Sequence, residues 1–167
     1  MRKAIFLSIA VMLGASACAG RQRVMTGTKI PDTQLNRQLV GAIKDYRDAV
    51  ERRDAEALLN MASKSYWEDS GTPTVSDDYG YDGLAAVLAE RLGRVSDIRY
   101  SMRFVSAHSD CAANDLHDGC RARVEALVDA SFSLQDATGK MRRPDKRDQA
   151  EFVLERKGDR WLFVSGM

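Results

Sequence analysis

The sequence of 167 residues lacks several features that point directly to a function. Its net charge is only +1, so no excess of one sign steers it toward nucleic acid or another polyelectrolyte. It contains neither a glycine-rich phosphate-binding loop nor a G-x-S-x-G nucleophile motif. Aromatic residues make up only 7%, but hydrophobic residues reach 44%, which is not the composition of a disordered chain. These properties predict one globular domain with a sizeable core.

Long apolar runs are absent too, because a membrane-spanning helix needs about 20 apolar residues. The most apolar stretch, residues 4–14, is shorter and follows the cations Arg2 and Lys3. Small residues at positions 15–17 complete the pattern of a cleaved secretory signal peptide over residues 1–17. We therefore expect the protein to be exported.

The residues Ala15-Ser16-Ala17-Cys18 resemble the lipobox of bacterial lipoproteins, in which the cysteine receives the lipid. Lipoproteins prefer leucine where Ala15 stands, so cleavage by the ordinary signal peptidase stays open, and both cuts precede Cys18. Ala19 stands where an aspartate would signal retention in the inner membrane. The resemblance thus implies an outer-membrane lipoprotein with its domain in the periplasm or on the cell surface. Residues 18–33 would be the lipidated N-terminus and a flexible tether.

The cysteines number only three, and an odd thiol in an exported protein needs an explanation. Cys111 and Cys120 are close in sequence and are expected to form a disulfide in an oxidising compartment. Cys18 is then left over at the point where lipidation would consume its thiol. The two histidines, His108 and His117, are predicted to lie in the same loop, residues 108–119. Because their spacing matches no ligand motif and a disulfide removes both thiolates, we expect a stapled hairpin and no metal site.

Helical periodicity precedes strand periodicity in the rest of the chain. Apolar residues recur at spacings of three and four from residue 34 to 50, which predicts a long helix capped by Asp32 or Thr33. Asp54 and Asp82 are predicted to cap two further short helices. A period of two follows at residues 98–104, 121–135, 150–155 and 160–165 and predicts antiparallel strands. Helices followed by a meander of strands indicate an α+β fold.

The order of these elements and two local patterns resemble the nuclear-transport-factor-2-like superfamily, which includes polyketide-cyclase-like and ketosteroid-isomerase-like proteins. The resemblance rests on residues 46–58 (YRDAVERRDAEAL), Gly83, and residues 158–163 (GDRWLF), and it covers residues 34–167 as one domain. It implies a cone-shaped, curved antiparallel sheet wrapped around the long N-terminal helix, with a pocket at the wide end. It implies no single activity, because enzymes, binding proteins and scaffolds share this fold.

The alternation also predicts which side chains face the interior of the cone. The inward positions are Tyr100, Met102, Phe104, Ala126, Val128, Ala130, Phe132, Phe152 and Leu154. The ionisable residues Arg99, Arg103, Arg123, Glu125, Asp129, Glu151 and Glu155 fall on the outer face, which is predicted to be solvated or to contact a partner. A catalytic cone needs an acid or base in its pocket, so we expect no catalytic residue. The five cations of residues 140–147 are expected to form a solvated turn rather than a site for anionic head groups.

Five residues are candidates for lining a ligand pocket, although each is equally compatible with the core: Tyr46, Tyr66, Trp67, Met102 and Phe104. Ketosteroid-isomerase-like relatives place a tyrosine on the first helix, where Tyr46 could match it, but no aspartate base aligns. We therefore expect a non-catalytic, lipid-anchored envelope protein that binds a hydrophobic small molecule or an envelope partner without a cofactor. The alternative is a small-molecule enzyme of the dehydratase, cyclase or isomerase type. A homodimer through the outer sheet face is a further expectation, whereas nucleic acid is not an expected partner.

Overall fold

The computed structural model describes residues 23–69, 75–136 and 138–167; the predicted signal peptide and Cys18 lie outside them. The helices are α1 (Gln34–Arg52), α2 (Ala55–Met61) and α3 (Tyr81–Gly93). The strands are β1 (Trp67–Glu68), β2 (Tyr79–Gly80), β3 (Val95–Ser109), β4 (Arg121–Gln135), β5 (Met141–Arg142), β6 (Asp145–Lys157) and β7 (Arg160–Ser165). This is the predicted α+β layout, since the three helices precede every strand of the main sheet, and only the short strands β1 and β2 come earlier. None of the helices in the described ranges has the length and hydropathy to cross a membrane.

The main sheet is antiparallel and has the strand order β3-β4-β6-β7, with β5 paired to the end of β4. The predicted alternation of β4 is observed, since Ala122, Val124, Ala126, Val128 and Ala130 are all buried. Helix α1 lies across β3, β4 and β7. The small inner face of β4 thus forms part of a core that α1 closes, and β1 pairs with β2 in a separate ribbon.

Side-chain caps fix the starts of α1 and α2. Thr33 Oγ1 accepts a hydrogen bond from the backbone N–H of Asn36 (3.1 Å), and Asp54 Oδ1 accepts one from Ala57 (2.9 Å), as predicted. The prediction for α3 is wrong, because its N-cap residue is Gly80. Asp82 instead lies in the first turn of α3, where its negative charge suits the helix dipole.

The folded part of the chain extends further toward the N-terminus than the predicted boundary at residue 34. Ile30 is only 2% exposed and belongs to the core, and Val24 forms an antiparallel bridge with Pro31. The backbone N–H of Met25 donates to the carbonyl of Ile30 at 2.9 Å. Residues 23–33 therefore pack against the domain, because one large apolar side chain anchors them.

The segment predicted as a turn, residues 136–147, is shorter in the structure, because β6 begins at Asp145 and β5 occupies residues 141–142. Arg142 forms an ion pair with Asp136 (2.6 Å), and Arg147 forms one with Asp129 of β4 (3.1 Å). Arg143 donates to the hydroxyls of Ser131 (3.1 Å) and Ser133 (3.3 Å). All five cations of residues 140–147 are exposed, as expected of a solvated segment, although Arg143 and Arg147 also contact side chains of β4.

Glu155 departs from the predicted solvated outer face. Its side chain is only 8% exposed and accepts hydrogen bonds from the hydroxyls of Ser63 and Ser65. Both serines belong to the segment after α2, which runs beside β7, where Ala62 bridges to Phe163. The alternation within β6 could not predict that Ser63 and Ser65 cover Glu155, because these serines lie about ninety positions earlier in the sequence.

Candidate functional site

A cavity of about 1190 Å³ lies at the end of the sheet where β3 and β6 begin and β4 ends. Its wall contains Ile98, Tyr100, Val128, Ala130, Phe132, Leu134 and Ala150 from these three strands. Val50 near the end of α1 and Leu92 near the end of α3 complete the apolar lining. Arg53 holds the two helix ends together, because its Nε donates to the carbonyl of Leu92 at 3.0 Å. The result is a mostly apolar chamber between two helix ends and a sheet.

Charged groups surround the mouth of this chamber. Lys146 pairs with Ala130 across the strands, and Asp148 pairs with Val128, so both lie on the inner face of the sheet. Lys146 Nζ is 3.8 Å from Asp148 Oδ2. The prediction that the inner face carries no ionisable residue is therefore wrong for the first residues of β6. On the opposite side, Glu90 of α3 forms an ion pair of 2.7 Å with Arg94, the residue that follows the helix.

Two tyrosines bring a polar group to the apolar wall. Tyr100 lines the cavity, and Tyr46 of α1 lies behind it, with the ring centroids 6.2 Å apart. Burial raises the pKa of Tyr100, a hydrogen bond from Tyr46 lowers this pKa, and the charge of Asp148 raises it. Burial also raises the pKa of Tyr46 well above its usual value. Both phenols therefore stay protonated at neutral pH and can serve as hydrogen-bond donors, not as bases.

None of the five candidate ligand residues lines this cavity. Tyr46 is buried among Tyr100, Phe152 and Phe163 in the core. Tyr66 is buried too, and its hydroxyl donates to Glu68 Oε2 at 3.1 Å. Trp67 lies on the surface, where 56% of it is exposed.

Met102 and Phe104 border a different cavity, of about 510 Å³, together with Val40, Lys44 and residues 25–28. Within one strand, therefore, Tyr100 lines the large cavity while Met102 and Phe104 border the smaller one. The sequence signal for the wall was correct at Val128, Ala130 and Phe132, which the alternation placed inward. The sequence did not identify Val50 and Leu92 as lining residues, because their positions depend on where α1 and α3 end.

The predicted disulfide between Cys111 and Cys120 is present, with the Cα atoms 5.7 Å apart. It joins the end of β3 to the start of β4 and closes the loop that contains His117. The prediction that His108 belongs to this loop is wrong, because His108 lies on β3, where it pairs with Arg123 of β4 and is exposed. This loop lies apart from the large cavity, since none of its residues contributes to the lining.

The outer face of the sheet carries ion pairs between neighbouring strands. Arg123 pairs with Glu151 (3.3 Å) and Arg147 with Asp129 (3.1 Å), while Leu127 is an exposed apolar residue among them. A homodimer through this face stays a prediction.

No protein-family model and no curated protein sequence matches this chain. Solved structures match its fold. A ketosteroid isomerase-like protein from Erwinia carotovora atroseptica has 21% sequence identity and a TM-score of 0.57, over 76% of this chain and 88% of that one. A protein from Novosphingobium aromaticivorans, assigned as a scytalone dehydratase, has 15% identity and a TM-score of 0.57, over 78% and 79%. A protein from Streptomyces avermitilis, assigned as a dehydratase of the NTF2-like family, has 16% identity and a TM-score of 0.54, over 78% and 91%.

At these identities the similarity confirms the predicted nuclear-transport-factor-2-like fold. It does not transfer an activity, because this fold carries enzymes and non-catalytic proteins alike.

Proposed function

We propose that this chain, with its nuclear-transport-factor-2-like fold, is an exported, lipid-anchored envelope protein that binds an amphipathic small molecule without transforming it. The observation that carries the proposal is the cavity of about 1190 Å³ with an apolar wall and a charged mouth. Sites for small ligands typically measure about 300–1,000 Å³ and combine apolar walls with a few polar groups. The chamber has this composition and enough space for such a molecule.

The distribution of charge favours an amphipathic ligand over a wholly apolar one. Val128, Ala130 and Phe132 would contact the apolar part, and burying it would supply most of the binding free energy. Lys146, at the rim, would meet a polar or anionic head group, since its distance of 3.8 Å from Asp148 leaves its ammonium partly solvated. The Tyr100 hydroxyl offers one further donor inside the wall.

The titratable groups of the chamber support binding rather than acid–base catalysis. A general base that works at neutral pH needs a pKa shifted toward 7 by burial or by a neighbour. Asp148 is a carboxylate on the inner face, but 63% of its side chain is exposed and Lys146 lies beside it. The pKa values of Tyr46 and Tyr100 are raised, away from 7, so both phenols keep their protons at neutral pH.

A second candidate, an enzyme of the dehydratase, cyclase or isomerase type, has one observation in its favour. The charge of Asp148 acts on the Tyr100 phenol, so a carboxylate and a hydrogen-bond donor border the same chamber. Such a pair could remove a proton next to a carbonyl group that Tyr100 polarises. If this candidate is correct, Asp148→Asn abolishes turnover of a carbonyl substrate and leaves its binding intact.

Export and lipid anchoring are part of the same proposal. The signal-like residues 1–17 and the lipobox-like Cys18 support them. The Cys111–Cys120 disulfide is consistent with them, because disulfides persist in oxidising compartments.

Binding in the chamber is tested by titration with the fluorescent probe anilinonaphthalene sulfonate, which has aromatic rings and one anionic group. Ala130→Phe places a ring into the cavity and is expected to weaken probe binding at least about tenfold, equivalent to about 1.4 kcal/mol. The matched control is Leu127→Phe, which adds the same ring to the outer face of β4. We expect that control to bind the probe as the unmodified protein does. Equal binding by all three folded proteins would refute the proposal.

A further inference from the structure

The loop between β3 and β4 brings together three side chains that bind soft metals. Cys111 Sγ, Cys120 Sγ and a ring nitrogen of His117 all lie within 4.8 Å of one another. The sequence spacing matches no standard ligand motif, so the fold is what assembles this group. We propose that reduction of the Cys111–Cys120 disulfide converts the loop into a site for a thiophilic divalent cation, Zn²⁺ above all.

The orientation of His117 is the first observation that carries this proposal. Its Nδ1 lies 3.0 Å from the backbone carbonyl of Asp118, and a carbonyl can only accept a hydrogen bond. Nδ1 therefore carries the proton, and Nε2 keeps its lone pair. This is the arrangement that orients histidines bound to metals, in which the nitrogen that does not bind the metal donates to a carbonyl or carboxylate.

The second observation is the distance between this nitrogen and the sulfur of Cys111. His117 Nε2 lies 3.6 Å from Cys111 Sγ. Tetrahedral zinc has bonds of about 2.3 Å to sulfur and 2.0–2.1 Å to nitrogen, which place two such ligand atoms about 3.6 Å apart. One sulfur and the imidazole thus already have the separation that a shared zinc ion requires.

The third observation concerns Cys120, whose sulfur lies close to the backbone of the same loop, including the carbonyl oxygen of Asp115 at 3.9 Å. The N–H of His117 donates to Cys120 Sγ at 3.3 Å, and the N–H of Cys120 donates back to the carbonyl of His117 at 3.2 Å. Gly119 between them has a φ of +92°, which a residue with a side chain rarely adopts. This tight turn holds Cys120 Sγ toward His117, which is itself exposed.

The chemistry balances with a phosphine as the reductant. The phosphorus is oxidised to a phosphine oxide and takes oxygen from water, the S–S bond accepts two electrons and breaks, and the two water protons go to the sulfurs. Zn²⁺ then replaces those two thiol protons and forms two Zn–S bonds and one Zn–N bond. A water molecule, or a carboxylate from Asp115 or Asp118 in the same loop, completes four-coordination.

The test uses full-length protein with Cys18→Ser, so that Cys111 and Cys120 carry the only thiols of the three cysteines. After phosphine reduction, native mass spectrometry is expected to show one Zn²⁺ per chain, and Co²⁺ is expected to produce a thiolate-to-metal charge-transfer band. The unreduced protein should bind neither ion. His117→Ala should weaken Zn²⁺ binding at least about tenfold, as loss of a metal-orienting contact already does elsewhere. The matched control is His108→Ala, which removes the histidine on β3 outside the loop and should leave the affinity for Zn²⁺ unchanged.

Three results would overturn the proposal. They are absence of Zn²⁺ binding by the reduced protein, equal binding by reduced and unreduced protein, and equal binding by His117→Ala. Circular dichroism is recorded on the same samples, since reduction removes a structural bridge. Loss of the folded state on reduction that Zn²⁺ does not reverse would also count against it.

Discussion

The ring of Tyr46 meets the ring of Tyr100 edge to face, with the two centroids 6.2 Å apart. Tyr46 belongs to the core through α1, whereas Tyr100 lies in the wall of the large cavity on β3. The core thereby positions the one phenol that faces a ligand in the proposed site. Replacing Tyr46 should therefore affect folding first, and replacing Tyr100 should affect binding first.

For Tyr46→Ala we predict a loss of about 3–5 kcal/mol of unfolding free energy, the usual cost of removing a large buried ring. Tyr46 packs between Phe152 and Phe163, so the cavity left behind cannot collapse without moving both strands. Urea denaturation measures the loss. Tyr46→Phe is the control, which keeps the ring and should cost about 0.5–1.5 kcal/mol for the lost hydrogen bond. A loss below about 1 kcal/mol in the alanine variant would contradict the burial of Tyr46.

The disulfide gives a second prediction. Alkylation of unreduced protein should leave Cys111 and Cys120 unmodified, and mass spectrometry shows this directly. Replacing both cysteines by alanine should lower the unfolding free energy by about 2–3 kcal/mol, because the bridge closes a short loop with a sequence separation of 9. Recovery of two alkylated thiols from unreduced protein would disprove the pairing.

Membrane attachment through Cys18 is tested by Cys18→Ala. The residues Ala15-Ser16-Ala17 still satisfy the ordinary signal peptidase, so the variant is expected to be exported and to appear in the soluble fraction. Immunoblots of separated membrane and soluble fractions measure the change, with unmodified protein as the reference. A variant that stays entirely in the membrane fraction would end the lipoprotein proposal.

Asp136 predicts a pH dependence of stability. The hydroxyl of Thr138 and the guanidinium of Arg142 donate to this carboxylate and lower its pKa from 3.8 to about 2. A pKa that is lower in the folded state stabilises the fold above the unfolded pKa, and this stabilisation is lost as the pH falls through the folded value. Asp136→Asn should therefore lower the melting temperature at neutral pH, and its difference from the unmodified protein should vanish near pH 2. Thermal unfolding at several pH values measures this, and a difference that does not depend on pH would contradict it.

The strands whose faces differ in polarity were the most predictable part of the fold. The structure places β4 at Arg121–Gln135, the bounds that its alternation predicted, and α1 at Gln34–Arg52, close to the predicted apolar stripe. Helix α1 and strand β4 each bury one face between the helix and the sheet. That burial requires apolar residues at regular spacings, so the spacing in the sequence predicts the element.

The first residues of β6 were not predictable in this way. Residues 145–149 (DKRDQ) contain no apolar side chain, so their sequence resembles a turn. They form a strand because their backbone groups pair with β4, from Ser131 back to Leu127. Because residues 145–149 were predicted as part of a turn, the charged mouth of the cavity was not predicted either. Lys146 and Asp148 face inward only if this segment is a strand.

The five candidate ligand residues do not line the large cavity, and the reason is related. A period of two shows which face of a strand is inward but not how far along the cone a residue lies. Tyr100, Met102 and Phe104 share one face, yet only Tyr100 reaches the large cavity. Depth depends on where α1 and α3 end, and those ends are fixed by tertiary contacts such as that from Arg53 to Leu92.

Methyl correlation spectra recorded during a titration with anilinonaphthalene sulfonate test the central claim most directly. We predict shifts in the methyl signals of Ile98, Val128 and Ala130, which line the cavity, and unchanged signals from Val105 and Leu127, which are exposed outside it. In Ala130→Phe, which lacks the Ala130 methyl, the shifts of the Ile98 and Val128 methyls should disappear at the same probe concentration. Shifts confined to Val105 and Leu127, or no saturable shift in the cavity methyls, would contradict a binding site inside the chamber.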